Sequence, residues 1–450
     1  MRFHHPSPLA LSALLALLPL SGLAPRVAAD VDVVIGYETR AVGEVEDCGC
    51  HSHPKGGFAK RAALINTLRD ESENVLILSG GDNVSNKGDR QWNRQSQMLL
   101  SMMGEMGTGA AAVQSQDLFL GLDVLNSAAA EHGLSLICAN LVGEDGKPLY
   151  PAYKVFTYGD KKLGVLAVTD PRLQSAIKSM PNGLKFDDPA PALAAGVKAL
   201  HDAEGCDAVV LLFGGRREQA LERCKDLQGV DLIFYGNATI SQRVPAETDA
   251  GVPVYTAANR GKDFGEITLT MKDDGTVELS PMLIHELDKN YAEEPSYAER
   301  VNAFKAEIEV EHTRAQEIET MAREFSAAPV TDTYLGTDTC ARCHADIAKK
   351  FESSAHAHAM ATLEAKYEDN NPDCVACHVT GWKEPGGYGI DPQNRAMLAG
   401  VQCEACHGYG TAHDRSTNAM AAPKDMCLRC HDAANSPEFD FDRYWAMVRH

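Results

Sequence analysis

The sequence predicts two folds in one chain: a layered α/β unit built on a mixed sheet, followed by a mostly α-helical and irregular unit. Three observations carry this. Apolar strand-length runs alternate with helical periodicities from Asp30 to about Leu287. Three strand-like runs then follow one another at the end of that region with no helix between them. Beyond Ala328 the composition turns to Cys, His, Ala and Gly, and Cys-x-x-Cys-His occurs four times.

The α/β region reads, in order, as strand 31–36, helix 57–70, strand 75–79, helix 90–103, helix 118–132 and strand 134–138. It continues as strand 163–169, helix 190–203, strand 208–213, helix 218–226 and strand 232–235. The closing runs 252–256, 265–271 and 277–283 make the sheet mixed rather than purely parallel. From Tyr291 to Phe325 the chain is highly charged, has no Gly and no Pro after Pro295, and carries Val301, Phe304, Ile308, Ala315, Ile318, Ala322 and Phe325 at roughly heptad spacing. That predicts one long amphipathic connecting helix. The expected division is a leader over 1–29, an α/β domain over 30–290, the connecting helix over 291–328 and a cofactor domain over 329–450.

The leader reads Met1-Arg2, a leucine-rich run from Leu9 to Leu20, then Val27-Ala28-Ala29 before Asp30. This is the pattern of a secretory signal peptide cleaved after Ala29. No later run approaches about 18 consecutive apolar residues, so no membrane span is expected in the mature chain. The formal charge of −21 becomes −23 when Arg2 and Arg26 leave with the leader. Such an acidic chain disfavours nucleic acid and anionic membrane and suits redox partner proteins with basic docking patches, although solubility alone explains the charge as well.

The four motifs are Cys340-Ala-Arg-Cys343-His344, Cys374-Val-Ala-Cys377-His378, Cys403-Glu-Ala-Cys406-His407 and Cys427-Leu-Arg-Cys430-His431. Two thiols add across haem vinyl groups as thioethers, and the following imidazole becomes the proximal iron ligand. A zinc site rarely needs His directly after the second Cys, and a redox dithiol is not normally repeated four times. Four covalent haems c are the expectation, and they would supply the core that the sparse apolar residues cannot. Export agrees, because such haem is attached outside the cytoplasmic membrane; the expected compartment is the periplasm.

An iron that is to transfer electrons fast and do no substrate chemistry needs a sixth ligand, and the expected donors are His or Met. The candidates are His356, His358, His413 and His450, with His312 on the connecting helix as a fifth. His356 and His358 are two apart on a helical stretch and so diverge, which leaves one of them for a given iron. Five cysteines fall outside the motifs. Among them, a bridge between Cys206 and Cys224 is sterically conceivable. The cluster Cys48-Gly49-Cys50-His51-Ser52-His53 could hold an additional metal ion, act in redox chemistry, or form a structural loop or strained disulfide.

Residues 334–431 resemble the cytochrome c-554 family of tetrahaem proteins through Tyr334-Leu-Gly-Thr-Asp-Thr-Cys340, Ser354-Ala-His356-Ala, Cys377-His378-Val-Thr-Gly381-Trp382 and Gly400-Val-Gln-Cys403-Glu-Ala-Cys406-His407-Gly408. The resemblance implies distal ligation by His356 and His413, electron transfer through closely stacked haems, and one haem that can lack a sixth ligand.

Residues 31–285 resemble the metallophosphoesterase domain of the 5′-nucleotidase superfamily. The matching strings are Gly56-Gly57-Phe58-Ala59-Lys60-Arg61-Ala62, Leu78-Ser79-Gly80-Gly81-Asp82-Asn83, Ala139-Asn140-Leu141, Leu163-Gly164-Val165 and Val230-Asp231-Leu232-Ile233. That family hydrolyses phosphate esters with two metals held by carboxylates, Asn and His. Here Tyr37-Glu38-Thr39 stands where the family has Asp-x-His, Gln114-Ser115-Gln116-Asp117 where it has Gly-Asn-His-Glu, Phe213 in place of its third-region His, and Gly236-Asn237-Ala238-Thr239 in place of Gly-His-x-His. Asp82 and Asp117 are the vestiges of the site, and a hard divalent pair needs more oxygen and imidazole donors than these supply.

The expected function is electron carriage between redox partners, with a phosphoesterase-like domain serving binding or docking. The alternatives are a haem enzyme acting on a small nitrogen or sulfur species at a five-coordinate iron, and a residual metal-dependent phosphoesterase.

Overall fold

The computed structural model describes residues 1, 29–47, 54–87, 90–176, 183–238, 241–258, 260–326, 332–365, 368–389, 392–412, 424–432 and 435–450. The loop carrying Cys48, Cys50, His51 and His53, the leader run 2–28 and His413 lie outside the described residues. The chain divides into two compact units, Met1–Ala298 and Glu299–His450.

The first unit runs β1 (Val31–Glu38), α1 (Phe58–Glu71), β2 (Val75–Ser79), α2 (Arg90–Glu105), β3 (Thr108–Ala112), α3 (Leu122–Glu131), β4 (Leu136–Ile137), β5 (Leu141–Val142), β6 (Tyr153–Tyr158), β7 (Lys161–Thr169) and β8 (Lys185–Phe186). It continues through α4 (Pro189–Asp202), β9 (Ala208–Gly214), α5 (Arg217–Arg223), β10 (Leu232–Tyr235), β11 (Gln242–Glu247), β12 (Pro253–Thr256), β13 (Asp263–Met271), β14 (Val277–Leu279) and β15 (Leu283–Glu286). The strands form two large mixed sheets rather than one, and β5 and β8 pair apart from them as a short antiparallel two-stranded sheet. The first has the order β14-β13-β1-β2-β3-β4 with β15 also on β13; the second has the order β11-β12-β10-β9-β7-β6. In the first, β1 is antiparallel to β13 and parallel to β2. In the second, β7, β9, β10 and β12 run parallel between antiparallel edges.

The sheets pack face to face, Val33, Ile35, Tyr37, Leu76 and Leu78 of the first meeting Leu163, Val165, Ala167, Val210, Leu212, Leu232 and Phe234 of the second. On the far face of the second sheet, Leu166, Val168, Val209 and Leu211 pack on Leu193, Val197 and Leu200 of α4 and Ala220 of α5. β7 and β9 are therefore buried on both faces, which is why they read as continuous apolar runs.

Five strands, β3, β5, β6, β8 and β11, are absent from the sequence expectation. β3, Thr-Gly-Ala-Ala-Ala, has little intrinsic strand preference. It is held by tight space: a Cβ on Gly109 would stand 2.5 Å from Leu76 and 3.0 Å from Phe156, so small residues are required between the sheets. β6 and β11 are sheet-end strands, and their pairing rather than their composition defines them. The predicted strand 277–283 divides into β14 and β15, both on β13. Cys206 and Cys224 are buried free thiols, so the conceivable bridge is not made.

The long helix α6 spans Pro295–Ser326. It begins at Pro295 rather than Tyr291 because Glu294 caps it, its carboxylate accepting the Tyr297 N–H at 3.1 Å. Val301, Phe304, Ile308 and Ile318 on its stripe are buried.

The second unit has short helices: α7 (Thr337–Ala341), α8 (Ala345–Glu352), α9 (Ala359–Glu364), α10 (Pro372–His378), α11 (Pro392–Leu398), α12 (Cys403–His407), α13 (Lys424–Cys427) and α14 (Phe441–Val448). Its buried apolar cluster is small, Ile318, Met360, Leu363, Val375 and Val379. Neither α7, α13 nor α14 buries a side chain fully. A unit of this size with so little apolar burial lacks the core that ordinarily offsets chain entropy.

Candidate functional site: two centres

In the first unit the parallel strands end together at Glu38, Ser79, Ala112, Thr169, Gly214 and Tyr235. Loops gather at that edge, the usual place for a site in α/β folds. The structure brings Asp82 and Asp117 together there. Asp82 sits at φ +55°, a left-handed conformation that Asp tolerates better than most residues. Its carboxylate accepts the Gln116 N–H at 3.1 Å and the Asn237 amide at 3.0 Å.

Asp117 is committed to the backbone. Its two oxygens accept N–H groups from Asp82 (2.9 Å), Asn83 (2.7 Å), Val84 (3.3 Å) and Gln114 (2.9 Å). Sequence reasoning marked it as a vestigial ligand; what it does in the fold is tie the loop after β2 to the loop after β3.

The remaining positions at this edge bond to one another. Thr39 Oγ1 lies 3.1 Å from the Gly81 carbonyl and 3.0 Å from that of Gly236. Tyr37 donates to the Tyr235 carbonyl at 3.1 Å and stacks on Phe234 with ring centres 4.0 Å apart. The Gln114 amide donates to the Gly80 carbonyl. Glu38 forms a buried ion pair with Arg61 at 2.5 Å, an arrangement that costs several kcal/mol to break from one side. Arg40, whose guanidinium donates to the Ala238 carbonyl at 3.2 Å, and Asn237 complete the surroundings of Asp82. Nothing in the local sequence marked Arg40. Among the described residues no three His, Cys, Asp or Glu side chains gather as a metal-binding group.

Burial pushes the Asp117 carboxyl up to about 7, the charge of Asp82 adding to it against the pull of the backbone N–H groups. Burial raises Asp82 as well, offset by Gln116, Asn237 and Arg40. The folded unit therefore keeps a proton that the unfolded chain releases near pH 4. Stability falls as pH rises from about 4 to about 7, because the charged form is the one penalised. The urea midpoint of this unit, followed by pulse proteolysis, is expected to drop across that window, and Asp82→Asn to flatten the drop. An unchanged slope in the variant would contradict the coupling.

In the second unit each motif with a complete turn closes it with a backbone bond: the His344 N–H to the Cys340 carbonyl and the His431 N–H to the Cys427 carbonyl, both 2.9 Å. Positions i, i+3 and i+4 then share one face, which is why this spacing presents two thiols and an imidazole together. The turns also lie beside each other. Cys340 has Cys403 beside it, Cys430 has Cys377, and Cys406 lies near Cys427 and Cys403. None of the eight motif cysteines is paired in a disulfide.

Two imidazole pairs stand out. His356 and His431 have ring centres 6.0 Å apart, and His407 and His450 are 5.6 Å apart. Imidazoles bound on opposite sides of one metal, at about 2 Å per metal–nitrogen bond, have ring centres about 6 Å apart. The His431 Nδ1 is 3.1 Å from the Ser436 hydroxyl, and the His378 Nδ1 is 2.7 Å from the Ala359 carbonyl. Such contacts fix ring orientation and leave Nε2 for a metal. Burial, followed by His431, lowers His356 and keeps it in the neutral form a ligand needs. His358 and His312 are both exposed. The donor set, the shared face of each turn and the small apolar core all fit covalent haem.

Known proteins resemble the two units separately. Residues 339–408 match the family described as cytochrome c554 and c-prime. Cytochrome c-554 of Nitrosomonas europaea is 38% identical over 128 residues, covering 24% of this chain and 54% of that protein. A snake venom 5′-nucleotidase of Gloydius brevicauda is 24% identical over 319 residues, covering 64% of this chain and 52% of that protein. The chain thus spans about half the length of each of these two relatives. The crystal structure of a 5′-nucleotidase precursor from Thermus thermophilus superposes with a TM-score of 0.54 at 21% identity, covering 62% of this chain and 59% of that one. The first unit accordingly has the 5′-nucleotidase fold, and the second contains a cytochrome c554-type segment.

Proposed function

We propose that the chain is an exported electron carrier that holds four covalent haems c and passes electrons between redox partners. The observation that carries this is the set of four attachment turns in one unit whose thiols adjoin in the order first, third, fourth, second motif. Haem supplies the one-electron chemistry. The chain's own residues anchor it, orient its ligands and exclude water.

His344, His378, His407 and His431 are the proximal ligands in this reading. The imidazole distances support His450 as the partner of His407 and His356 as the partner of His431. His413, outside the described residues, remains an expected distal ligand. His356→Ala and His450→Ala should each convert one low-spin haem to high spin in electron paramagnetic resonance; unchanged spectra would remove that ligand assignment.

The first unit, in this reading, has given up two-metal hydrolysis and offers its strand-end edge for binding or docking. Support comes from Asp117, whose carboxylate the backbone occupies, and from Thr39, Gln114 and Asn237, which bond within the edge. The protein should carry four haems by mass, titrate reversibly, and fail to hydrolyse nucleotides or nitrophenyl phosphate with added Mn²⁺ or Zn²⁺. Metal-dependent turnover would restore the phosphoesterase alternative. The leader pattern supports the periplasm, and the acidic charge supports partners with basic patches.

A second reading rests on the second motif. Among the described residues no imidazole ring stands opposite His378, and His358 is exposed. A five-coordinate haem there would make the chain an enzyme for a small nitrogen or sulfur species. A high-spin signal in the unmodified protein that shifts on adding nitrite, hydroxylamine or sulfite would favour it.

A further inference from the structure

Glu404 occupies the first variable position of the third motif and is 4% exposed. An acidic side chain is almost never so buried without a charge partner. Among the described residues no cationic side chain pairs with it. Its partners are backbone N–H groups: Leu335, 3.0 Å from each oxygen; Gly336 at 2.8 Å; and Gly410 at 2.6 Å.

Two of those donors sit where only glycine fits. Gly336 has φ +77°, and a Cβ on it would lie 2.7 Å from Met397; a Cβ on Gly410 would lie 2.6 Å from the Glu404 oxygen itself. Two residues before Glu404, Gln402 continues the same contact. Its side-chain oxygen accepts the Thr337 N–H at 2.9 Å and lies 3.0 Å from the Thr337 hydroxyl. Gln402 and Glu404, which flank Cys403, therefore hold three consecutive amides of the segment leading into Cys340. The Thr337 hydroxyl also lies 3.6 Å from the Cys403 sulfur.

We propose that Glu404 is a positioning residue for electron transfer: its carboxylate clamps the first attachment turn to the third and holds the haems bound there toward their oxidised state. This rests on the haem reading above. A buried negative charge balanced only by dipoles favours ferric haem, which carries one more positive charge than ferrous haem, and low local dielectric strengthens the effect. The clamp also fixes the separation of the two turns, on which the rate of transfer between their haems depends.

The test uses the full haem-loaded chain in an optical potentiometric titration, with haem content measured by mass on the same sample. Glu404→Gln keeps the size and removes the charge. With all haems attached, part of its titration should move toward easier reduction by about tenfold in the equilibrium, 59 mV for a one-electron couple. Glu404→Asp keeps the charge and shortens the reach, so its potentials should stay near the parent's while proteolysis around residues 332–340 accelerates. A fully loaded Glu404→Gln chain whose titration superimposes on the parent would overturn the proposal. If that variant does not assemble, the unmodified protein decides: with haems assigned by their ferric methyl resonances, those of the first and third motifs should titrate below that of the fourth, and the reverse order would overturn it. An unmodified chain without covalent haem would instead remove the underlying haem reading, and mass distinguishes the two failures.

Discussion

A chain carrying Cys403→Ser together with Cys406→Ser is expected to lose about a quarter of its haem absorbance in pyridine haemochrome spectra and to destabilise the whole second unit. The first part follows from chemistry: without thiols no thioether forms at that turn. The second follows from the structure. The third turn is the hub of the unit, with Cys403 beside Cys340, Cys406 near Cys427, and Gln402 and Glu404 holding the segment 335–337. The protein's own apolar cluster there is too small to compensate. Limited proteolysis should cut residues 332–450 in the variant under conditions that spare the parent, while the first unit stays intact. Loss of one haem with unchanged protease resistance would show that the haems do not form a shared core.

Asp117→Ala is expected to cost the first unit about 4 kcal/mol or more, enough to unfold much of a marginally stable domain. Four backbone N–H groups, from Asp82, Asn83, Val84 and Gln114, lose their acceptor at once in a buried place. Each unsatisfied group costs about 1–3 kcal/mol, less where water enters. Asp117→Asn should cost less, since its remaining oxygen still accepts, although its amide would face donors on the other side. Urea denaturation of the haem-loaded chain, read by pulse proteolysis of the first unit, measures both. A cost below about 1 kcal/mol for Asp117→Ala would mean that the carboxylate does not organise these loops. A residue held by four backbone donors acts as a structural brace at the strand-end edge.

How much of this could be read beforehand depends on how local each feature is. The strands β7, β9 and β10 were legible because burial on both faces writes an unbroken apolar run into the sequence. β3 was not, because Gly109 and its alanines answer to the approach of Leu76 and Phe156 from elsewhere in the chain. The division of the strands between two sheets was hidden for the same reason: periodicity reports that a face is buried, not what covers it. At the strand-end edge, the absence of imidazole from Tyr37-Glu38-Thr39 and Gly236-Asn237 was visible in the sequence, whereas the backbone's hold on Asp117 and the presence of Arg40 beside Asp82 were not.

The sequence by itself determined the attachment chemistry, since Cys, Cys and His at i, i+3 and i+4 fall on one face of a single turn and need nothing distant to do so. It also determined the acidic charge and the alternating α/β pattern. Only the tertiary structure decided which turns adjoin, that His356 faces His431 and His450 faces His407, and that Glu404 is buried against Leu335, Gly336 and Gly410. Those relations join residues up to 75 positions apart in the sequence. No local preference encodes them, because they exist only once packing has brought separate segments together.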